Sequence, residues 1–195
     1  MSRTAGLVLA AGAGTRFGGP KALARTSDGD PWVRRAVAAL QQAGCAPVLV
    51  VLGAAAQEAS GLVPRTARVV LAEAWAQGLS ASLKAGLRAL ADSDEDTDAV
   101  LITLVDLPDL PVAACLRLLD GGADAGSLRQ AVYDGTPGHP ALLGRHHWAR
   151  VQNGLHGDRG AGAYLAAAGA RRVECGDLFT GADVDRPSST PDAGP

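Results

Sequence analysis

A glycine-rich loop near the N-terminus has the residue types of a polyphosphate-binding site. An apolar run over residues 7–11 has the length of a buried strand and passes into residues 12–19, which contain four glycines. Glycine permits a positive φ and a close approach to the main chain, so successive N–H groups can surround an anion. Arg16 and Lys21 add two positive charges beside the loop. We therefore expect this segment to bind phosphates.

A carboxylate, Asp106, follows a second apolar run, over residues 99–105. The carboxyl ends of parallel strands form the edge at which open α/β sheets bind ligands. Mg²⁺ typically binds one or two carboxylates together with substrate oxygens and water. Asp106 is therefore a candidate Mg²⁺ ligand beside the phosphates. The residues alone also allow the alternative that Asp106 caps the helix that follows it.

The elements that must position these residues alternate between strands and helices in the first half of the chain. This alternation predicts an α/β fold with a mainly parallel sheet and helices on both faces. A late pair of strands with a turn at 134–138 predicts an antiparallel addition. The predicted strands cover residues 7–11, 45–52, 68–71, 99–105, 128–133, 140–143 and 172–175, and the predicted helices cover 31–43, 54–60, from Ser80 or Ser82 to about 90, and 111–119.

Two well-known phosphate-binding loops do not fit the glycine-rich segment. The dinucleotide fingerprint G-x-G-x-x-G fails because Phe17 occupies its third glycine position. The P-loop pattern G-x-x-x-x-G-K-[ST] fails because Pro20 separates Gly19 from Lys21, and Ala22 replaces the hydroxyl residue. On these grounds an ordinary Gly/Ala-rich strand and turn is the alternative to a phosphate-binding loop.

A longer pattern, L-A-A-G-x-x-x-R-[FM]-G-x-x-K, does match residues 9–21. This pattern resembles the MobA-like nucleotidyltransferases, which transfer a nucleotide onto molybdopterin and related acceptors. The resemblance covers about residues 5–187 and implies a three-layer α/β/α, Rossmann-like mixed sheet of the nucleotide-diphospho-sugar transferase (GT-A-like) type. It implies that Arg16, Lys21 and Asp106 are catalytic. It also implies a set of nucleotide-binding residues in the loop: Leu9, Ala10, Ala11, Gly12, Ala13, Gly14 and Thr15.

A further stretch, over residues 75–83, resembles the family segment W-x-x-G-[LM]-x-x-S-L. In the family this segment lies over the nucleotide base and ribose, which implies nucleotide contacts for Gly78, Ser80 and Ser82. The residues alone are equally consistent with a plain amphipathic helix that the hydroxyl of Ser80 or Ser82 caps.

Two later segments resemble the acceptor side of the family. One matches G-[HN]-P, and the other, over residues 157–165, matches G-D-x-G-A-R-x-x-L except that Gly162 stands where arginine is usual. The departure puts an anion contact at that position in doubt, although Arg159 could replace it. The acceptor-side residues implied are Gly138, His139, Pro140 and Asp158.

The segment over residues 183–187 resembles the family pattern D-[IV]-D-x-P. It implies that Asp185 joins Asp106 as a second Mg²⁺ ligand, and a C-terminal turn is the alternative. A zinc site at His139, His146 and His147 is rejected, because no cysteine lies near and adjacent histidines lack the usual ligand spacing.

Length and composition limit the remaining possibilities. A chain of 195 residues favours a single domain, here 1–187, with a Ser/Pro/Gly-rich tail at 188–195 that we expect to be disordered. A net charge of −2 argues against a nucleic-acid partner. Three widely spaced cysteines argue against a disulfide framework and favour the cytoplasm. No apolar run approaches the roughly 20 residues that span a membrane.

The resemblance to the MobA-like nucleotidyltransferases implies nucleotidyl transfer from an NTP to a phosphorylated acceptor, with Mg²⁺ as cofactor and pyrophosphate as leaving group. In the family the residue after Ala10 separates base preference: guanylyltransferases resemble L-A-G-G and cytidylyltransferases L-A-A-G. Ala11 therefore favours CTP over GTP and a molybdenum cofactor cytidylyltransferase. The alternatives are a sugar- or polyol-phosphate nucleotidyltransferase and a non-catalytic nucleotide-binding accessory protein. Expected partners are the NTP, an acceptor such as molybdopterin, and a molybdoenzyme or its chaperone, with the chain a monomer or weak dimer.

Overall fold

A seven-stranded mixed sheet forms the centre of the structure, a computed structural model that describes residues 3–93 and 95–185. The predicted tail at 188–195 and the last two residues of the D-[IV]-D-x-P segment lie outside the described residues. The strands are β1 (Thr4–Ala10), β2 (Val48–Leu52), β3 (Arg68–Leu71), β4 (Ala99–Leu104), β5 (Leu128–Tyr133), β6 (Thr136–Gly144) and β7 (Arg171–Glu174). The helices are α1 (Trp32–Gln42), α2 (Ala56–Ala59), α3 (Leu79–Ala91), α4 (Val112–Leu119), α5 (Arg145–Gly154) and α6 (Gly162–Ala167).

The order of the strands in the sheet is β3-β2-β1-β4-β6-β5-β7. Strands β3, β2, β1 and β4 are parallel to one another, whereas β6 runs antiparallel to both β4 and β5. The last strand, β7, pairs parallel with β5. This arrangement confirms the predicted α/β class and the antiparallel addition to a mainly parallel sheet.

Two hydrophobic cores, one on each face of the sheet, explain why the sequence of β1 is a continuous run of apolar residues. Val8 belongs to the core beneath α1 and α4, and Leu7 belongs to the core beneath α3 and α5. Both side chains are fully buried. A strand covered on both faces has no solvent-facing positions and therefore loses the alternation of apolar and polar residues.

Helix α3 packs especially closely on β1 because Gly86 carries no side chain. A Cβ atom at Gly86 would lie 2.7 Å from Cδ1 of Leu7 and 3.1 Å from Cγ2 of Val51. Such distances are shorter than carbon–carbon contacts at optimal separation. The close packing fixes the start of α3 relative to the end of β1, and both border the site described below.

Two details of the helices differ from the sequence-based predictions. The predicted cap at Ser80 or Ser82 is wrong, because Gly78 is the N-cap of α3 without a side-chain hydrogen bond, and both serines are buried inside the helix. Helix α5 was not predicted. Only Trp148 and Val151 are buried along it, so its hydrophobic periodicity is weak, and the indole Nε1 of Trp148 holds it to the sheet by donating to the Leu143 carbonyl at 2.9 Å.

The second strand of the late pair is longer than predicted. Strand β6 begins at Thr136, and the turn is confined to Asp134 and Gly135, whose φ angles are 50° and 78°. Positive φ at both central residues is typical of the two-residue hairpin turn. None of the described helices has the length and apolar character needed to cross a lipid bilayer.

Replacing Gly86 with valine is expected to lower the free energy of unfolding by about 1–3 kcal/mol, because the added atoms overpack the core against Leu7. Denaturant unfolding measures the change. The control is Lys84→Val on the exposed side of the same helix, which carries the helix penalty of a β-branched residue without overpacking. Equal losses in the two variants would contradict the close packing of α3 on β1.

Candidate active site

A cavity of about 790 Å³ lies at the carboxyl ends of β1 and β4. The parallel pairing of β1 with β4 brings Leu9 opposite Leu104, and the Val105 amide donates to the Leu9 carbonyl at 3.1 Å. The glycine-rich loop after β1 and the carboxylate of Asp106 after β4 therefore meet on the same edge of the sheet. The volume is that of a pocket for a small-molecule ligand.

All seven loop residues predicted to contact a nucleotide, residues 9–15, line this cavity. Within the loop, the carbonyl of Gly14 accepts hydrogen bonds from the amides of Phe17, Gly18 and Gly19 at 2.9, 3.0 and 3.1 Å. The amides of residues 12–16 donate to no acceptor among residues 3–93 and 95–185. These five amides are available to an anion in the cavity.

Gly14 is the position at which the loop requires glycine. Its φ is 60°, in the left-handed region, and a Cβ atom would lie 1.8 Å from the carbonyl oxygen of Gly19. A larger residue at this position would have to open the turn that orients the amides. Glycine at 14 is therefore a condition for the shape of the loop.

Lys21 lies between two carboxylates at the floor of the cavity. Its Nζ donates to Oδ2 of Asp106 at 3.0 Å and to Oδ1 of Asp185 at 2.9 Å. The side chains of Lys21 and Asp106 are only 15% and 17% exposed, while that of Asp185 is 54% exposed. Two of the three charges are thus shielded from water, where ion pairs are screened least.

The pKa values of this cluster reflect the pairing. Burial by itself lowers the pKa of Lys21, but hydrogen bonds and charge interactions with Asp185 and Asp106 outweigh it, so the pKa lies above its ordinary value. The hydrogen bond and charge of Lys21 lower the pKa of Asp185. Lys21 is consequently positively charged, and Asp185 negatively charged, at neutral pH.

The same carboxylates fit a divalent metal. Asp106 lines the cavity, and its buried Oδ1 has no hydrogen-bond partner among the described residues. The described residues contain no group of three or more His, Cys, Asp or Glu side chains suited to a metal. A pair of carboxylates is sufficient for Mg²⁺, which takes its remaining ligands from substrate oxygens and water. The Val184 amide, which donates to the Asp106 carbonyl at 2.9 Å, holds Asp185 near Asp106.

The segment predicted to cover the base and ribose is divided in the structure. Gly78 and Ser82 line the cavity, whereas Ser80 does not. The Ser80 amide instead donates to the Gly157 carbonyl at 3.1 Å. Gly78 has a φ of 100°, and a Cβ atom there would lie 2.3 Å from Oδ1 of Asp158. Asp158 therefore lies in the cavity wall, next to the residue at which α3 begins.

The residues predicted to lie on the acceptor side are also separated. Asp158 lines the cavity, but Gly138, His139 and Pro140 do not. The His139 Nδ1 lies 3.3 Å from the Ile102 carbonyl oxygen, and burial lowers the pKa of His139. Neither Gly162 nor Arg159 borders the cavity, so the replacement of the missing arginine by Arg159 is not seen in the cavity lining.

Eight lining residues were not assigned a role from the sequence: Phe17, Ala22, Trp75, Ala76, Leu79, Leu104, Val105 and Asp183. Trp75 and Leu79 lie inside the matched segment at 75–83, so the pattern itself was the signal that could have identified them. Asp183 lies two residues from Asp185, and side chains at this spacing share a side of an extended segment. Phe17 stands at the [FM] position of the pattern matched by residues 9–21, so that pattern was its signal. Its contacts arise from tertiary packing: its ring centroid lies 5.2 Å from that of Trp32 and 5.9 Å from Nζ of Lys21.

Comparison with known proteins extends this description. A family model described as the MobA-like NTP transferase domain matches residues 6–173. Nicotine blue oxidoreductase of Paenarthrobacter nicotinovorans is 34% identical over 193 residues, covering 92% of this chain and 91% of that protein.

Solved structures of similar fold come from mycobacteria. The Mycobacterium sp. strain JC1 homologue of Mycobacterium tuberculosis Rv0371c is 30% identical, with a TM-score of 0.78 over 94% of this chain and 91% of that chain. A manganese complex of Rv0371c from Mycobacterium tuberculosis H37Rv is 26% identical, with a TM-score of 0.71 over 89% of each chain.

The loop geometry leads to a prediction about Gly14. Gly14→Ala is expected to weaken binding of inorganic triphosphate by at least about 10-fold, since the turn that orients the amides must open and each lost charge-assisted hydrogen bond costs about 1.5–3 kcal/mol. Isothermal titration calorimetry measures the affinity.

Gly19→Ala is the matched control, because a Cβ atom at Gly19 meets nothing within 4 Å and its φ is not positive. If Gly14→Ala binds triphosphate as tightly as Gly19→Ala and the unaltered protein do, the loop does not form the phosphate site.

Proposed function

The chain belongs to the MobA-like NTP transferase family, and we propose that it transfers a nucleoside monophosphate from an NTP to a phosphorylated acceptor. The observation that carries the proposal is the meeting of five free loop amides with the cluster of Lys21, Asp106 and Asp185 in one cavity. Anion-binding amides and cations suit a triphosphate, and paired carboxylates suit the divalent metal that accompanies it.

The proposed reaction is a single displacement at phosphorus. An ionised oxygen of the acceptor phosphate attacks the α-phosphorus of the NTP, a new P–O bond forms, and the bond to the β-phosphate oxygen breaks to release pyrophosphate. A phosphate that is already ionised needs no general base. Catalysis of such a transfer depends on positioning and on stabilising negative charge.

The chain's own residues divide these tasks. The amides of residues 12–16 and the guanidinium of Arg16 hold the phosphates, and Lys21 compensates their charge. Asp106 and Asp185 would hold a divalent cation, either Mg²⁺ or the manganese bound by the Rv0371c structure. When bound, that metal supplies neutralisation of the charge on the phosphates and on the leaving pyrophosphate.

The proposed donor is CTP and the proposed acceptor is molybdopterin, which makes the chain a molybdenum cofactor cytidylyltransferase. Ala11 supports CTP, because it carries a methyl group where guanylyl-type sequences have glycine, and it lines the cavity. The acceptor rests on the family alone, and sugar or polyol phosphates remain the alternative within the same chemistry. Pyrophosphate release from four NTPs, each with molybdopterin or a sugar phosphate, tests the donor and the acceptor separately.

The 34% identity to nicotine blue oxidoreductase supports a second candidate, an oxidoreductase. Phe17 in place of the third fingerprint glycine argues against the usual dinucleotide loop, whereas the free amides and cations would serve the pyrophosphate of a nicotinamide dinucleotide as well as a triphosphate. Dye-linked oxidation of NADH or NADPH without pyrophosphate release from any NTP would favour this candidate over nucleotidyl transfer.

Asp106→Asn is expected to reduce nucleotidyl transfer by at least about 100-fold with little change in melting temperature, because the side chain keeps its shape but loses its charge. Pyrophosphate release and thermal unfolding measure the two effects. Chelation of divalent metal should abolish transfer in the unaltered protein, and Mg²⁺ or Mn²⁺ should restore it.

Asp109→Asn is the control, since Asp109 lies in the same segment but is exposed and pairs with Arg35 outside the cavity. If Asp106→Asn unfolds the protein while activity per folded molecule is unchanged, Asp106 is a structural cap and the proposed metal ligand is lost.

Ala11→Gly is expected to reduce the preference for CTP over GTP, because removal of the methyl group widens the space beside the base. The ratio of kcat/KM for the two nucleotides measures the preference. Ala13→Gly, in the same loop, controls for the added backbone freedom of glycine. A preference of the unaltered protein for GTP would refute this role of Ala11.

A further inference from the structure

The Lys21 ammonium lies where two carboxylates converge, between Oδ2 of Asp106 and Oδ1 of Asp185. We propose that Lys21 is an internal counter-ion that a divalent metal must displace, so that metal binds tightly only when a triphosphate draws Lys21 away. This inference rests on the proposed function and specifies the order of binding. The metal binds together with the triphosphate or after the triphosphate, not before.

Charge counting gives the physical reason. With Lys21 in place the three side chains carry a net charge of −1, and without it the two carboxylates carry −2. A divalent cation that approaches the carboxylates meets a positive charge about 3 Å from the oxygens it must bind. Like charges at this separation repel strongly where solvent is partly excluded. Free metal is therefore disfavoured in the unliganded protein.

The second oxygen of Asp106 argues against a purely structural ion pair. Lys21 occupies only Oδ2, while Oδ1 is buried with no hydrogen-bond partner among the described residues. A buried carboxylate oxygen without a partner costs free energy, so a pair selected only for stability would satisfy it. Oδ1 of Asp106 is therefore left without a partner while Lys21 is in place, and a metal would supply one once the ammonium has moved.

The triphosphate site offers Lys21 another anionic partner nearby. Lys21 begins the 3-10 turn Lys21–Leu23, which follows directly after the glycine-rich loop. It lines the same cavity as the loop amides and Arg16. Movement of a flexible lysine side chain from the carboxylates to the phosphates exposes both carboxylates to the metal and needs no rearrangement of the sheet.

The test measures Mn²⁺ binding to nucleotide-free protein, from the loss of the electron paramagnetic resonance signal of free Mn²⁺. Lys21→Met and Lys21→Gln, which remove the charge, are expected to bind Mn²⁺ at least about 10-fold more tightly than the unaltered protein. Lys21→Arg keeps the charge and should bind Mn²⁺ as weakly as the unaltered protein. Adding Asp106→Asn to Lys21→Met should abolish the gain.

Three results would overturn the proposal. The first is that the neutral variants bind Mn²⁺ no more tightly than the unaltered protein. The second is that the gain in affinity persists when Asp106→Asn is added, and the third is that Lys21→Arg gains as much affinity as the neutral variants. If the neutral variants fail to fold, equilibrium dialysis of the unaltered protein decides. At a fixed concentration of free Mn²⁺, inorganic triphosphate should raise protein-bound Mn²⁺ at least about 10-fold, and no increase would refute displacement.

This measurement is independent of the transfer reaction, because it includes no NTP and no acceptor. A chain whose neutral variants gain Mn²⁺ affinity but which releases no pyrophosphate refutes the proposed function and leaves the counter-ion role of Lys21 intact. A chain that transfers nucleotide while its neutral variants gain no affinity refutes only the counter-ion role.

Discussion

The contact of Lys21 with Asp106 and Asp185 is the interaction on which the site depends. It joins residues that are 85 and 164 positions apart in the sequence, and so connects the loop after β1, the end of β4 and the C-terminal segment. Lys21 compensates the charge of both carboxylates, and it retains Asp185 as a partner if Asp106 loses its charge. The three side chains therefore form a single unit, in which the position of each depends on the other two.

The sheet and its two hydrophobic cores position the backbone so that these three charged side chains can meet. Lys21 and Asp106 can meet only because β1 and β4 are parallel neighbours, and the β1–β4 pair is held from both faces by separate cores. Gly14, Gly78 and Gly86 are among the positions where the chain approaches itself too closely for a side chain. The fold thus converts non-directional apolar packing into fixed positions for a few charged groups.

The sequence predicted most readily those features that local physics determines. The apolar runs predicted the core strands, and the glycine pattern predicted a loop after the first strand. Placement of side chains by distant parts of the chain was not predictable. Ser80 is buried and bonded through its amide to Gly157, and His139 lies apart from the cavity that Asp158 borders. The sequence pattern also could not show that Lys21 contacts the carboxylates, because they lie 85 and 164 positions away and only the tertiary fold brings them together.

Fold and family do not by themselves decide the reaction, since one fold can carry unrelated chemistry, and a relative with 34% identity is named an oxidoreductase. The charged cluster is more informative than the fold. Free amides with cations would serve any nucleotide phosphate, whether the nucleotide reacts or only binds. Paired carboxylates are not needed to bind a pyrophosphate diester. They repel such a ligand unless a cation lies between the carboxylates and the phosphates. In this chain Lys21 is that cation. A substrate that carries its own divalent metal can place the metal at the carboxylates in exchange for the Lys21 ammonium, and such a substrate is therefore the ligand that best fits the cluster.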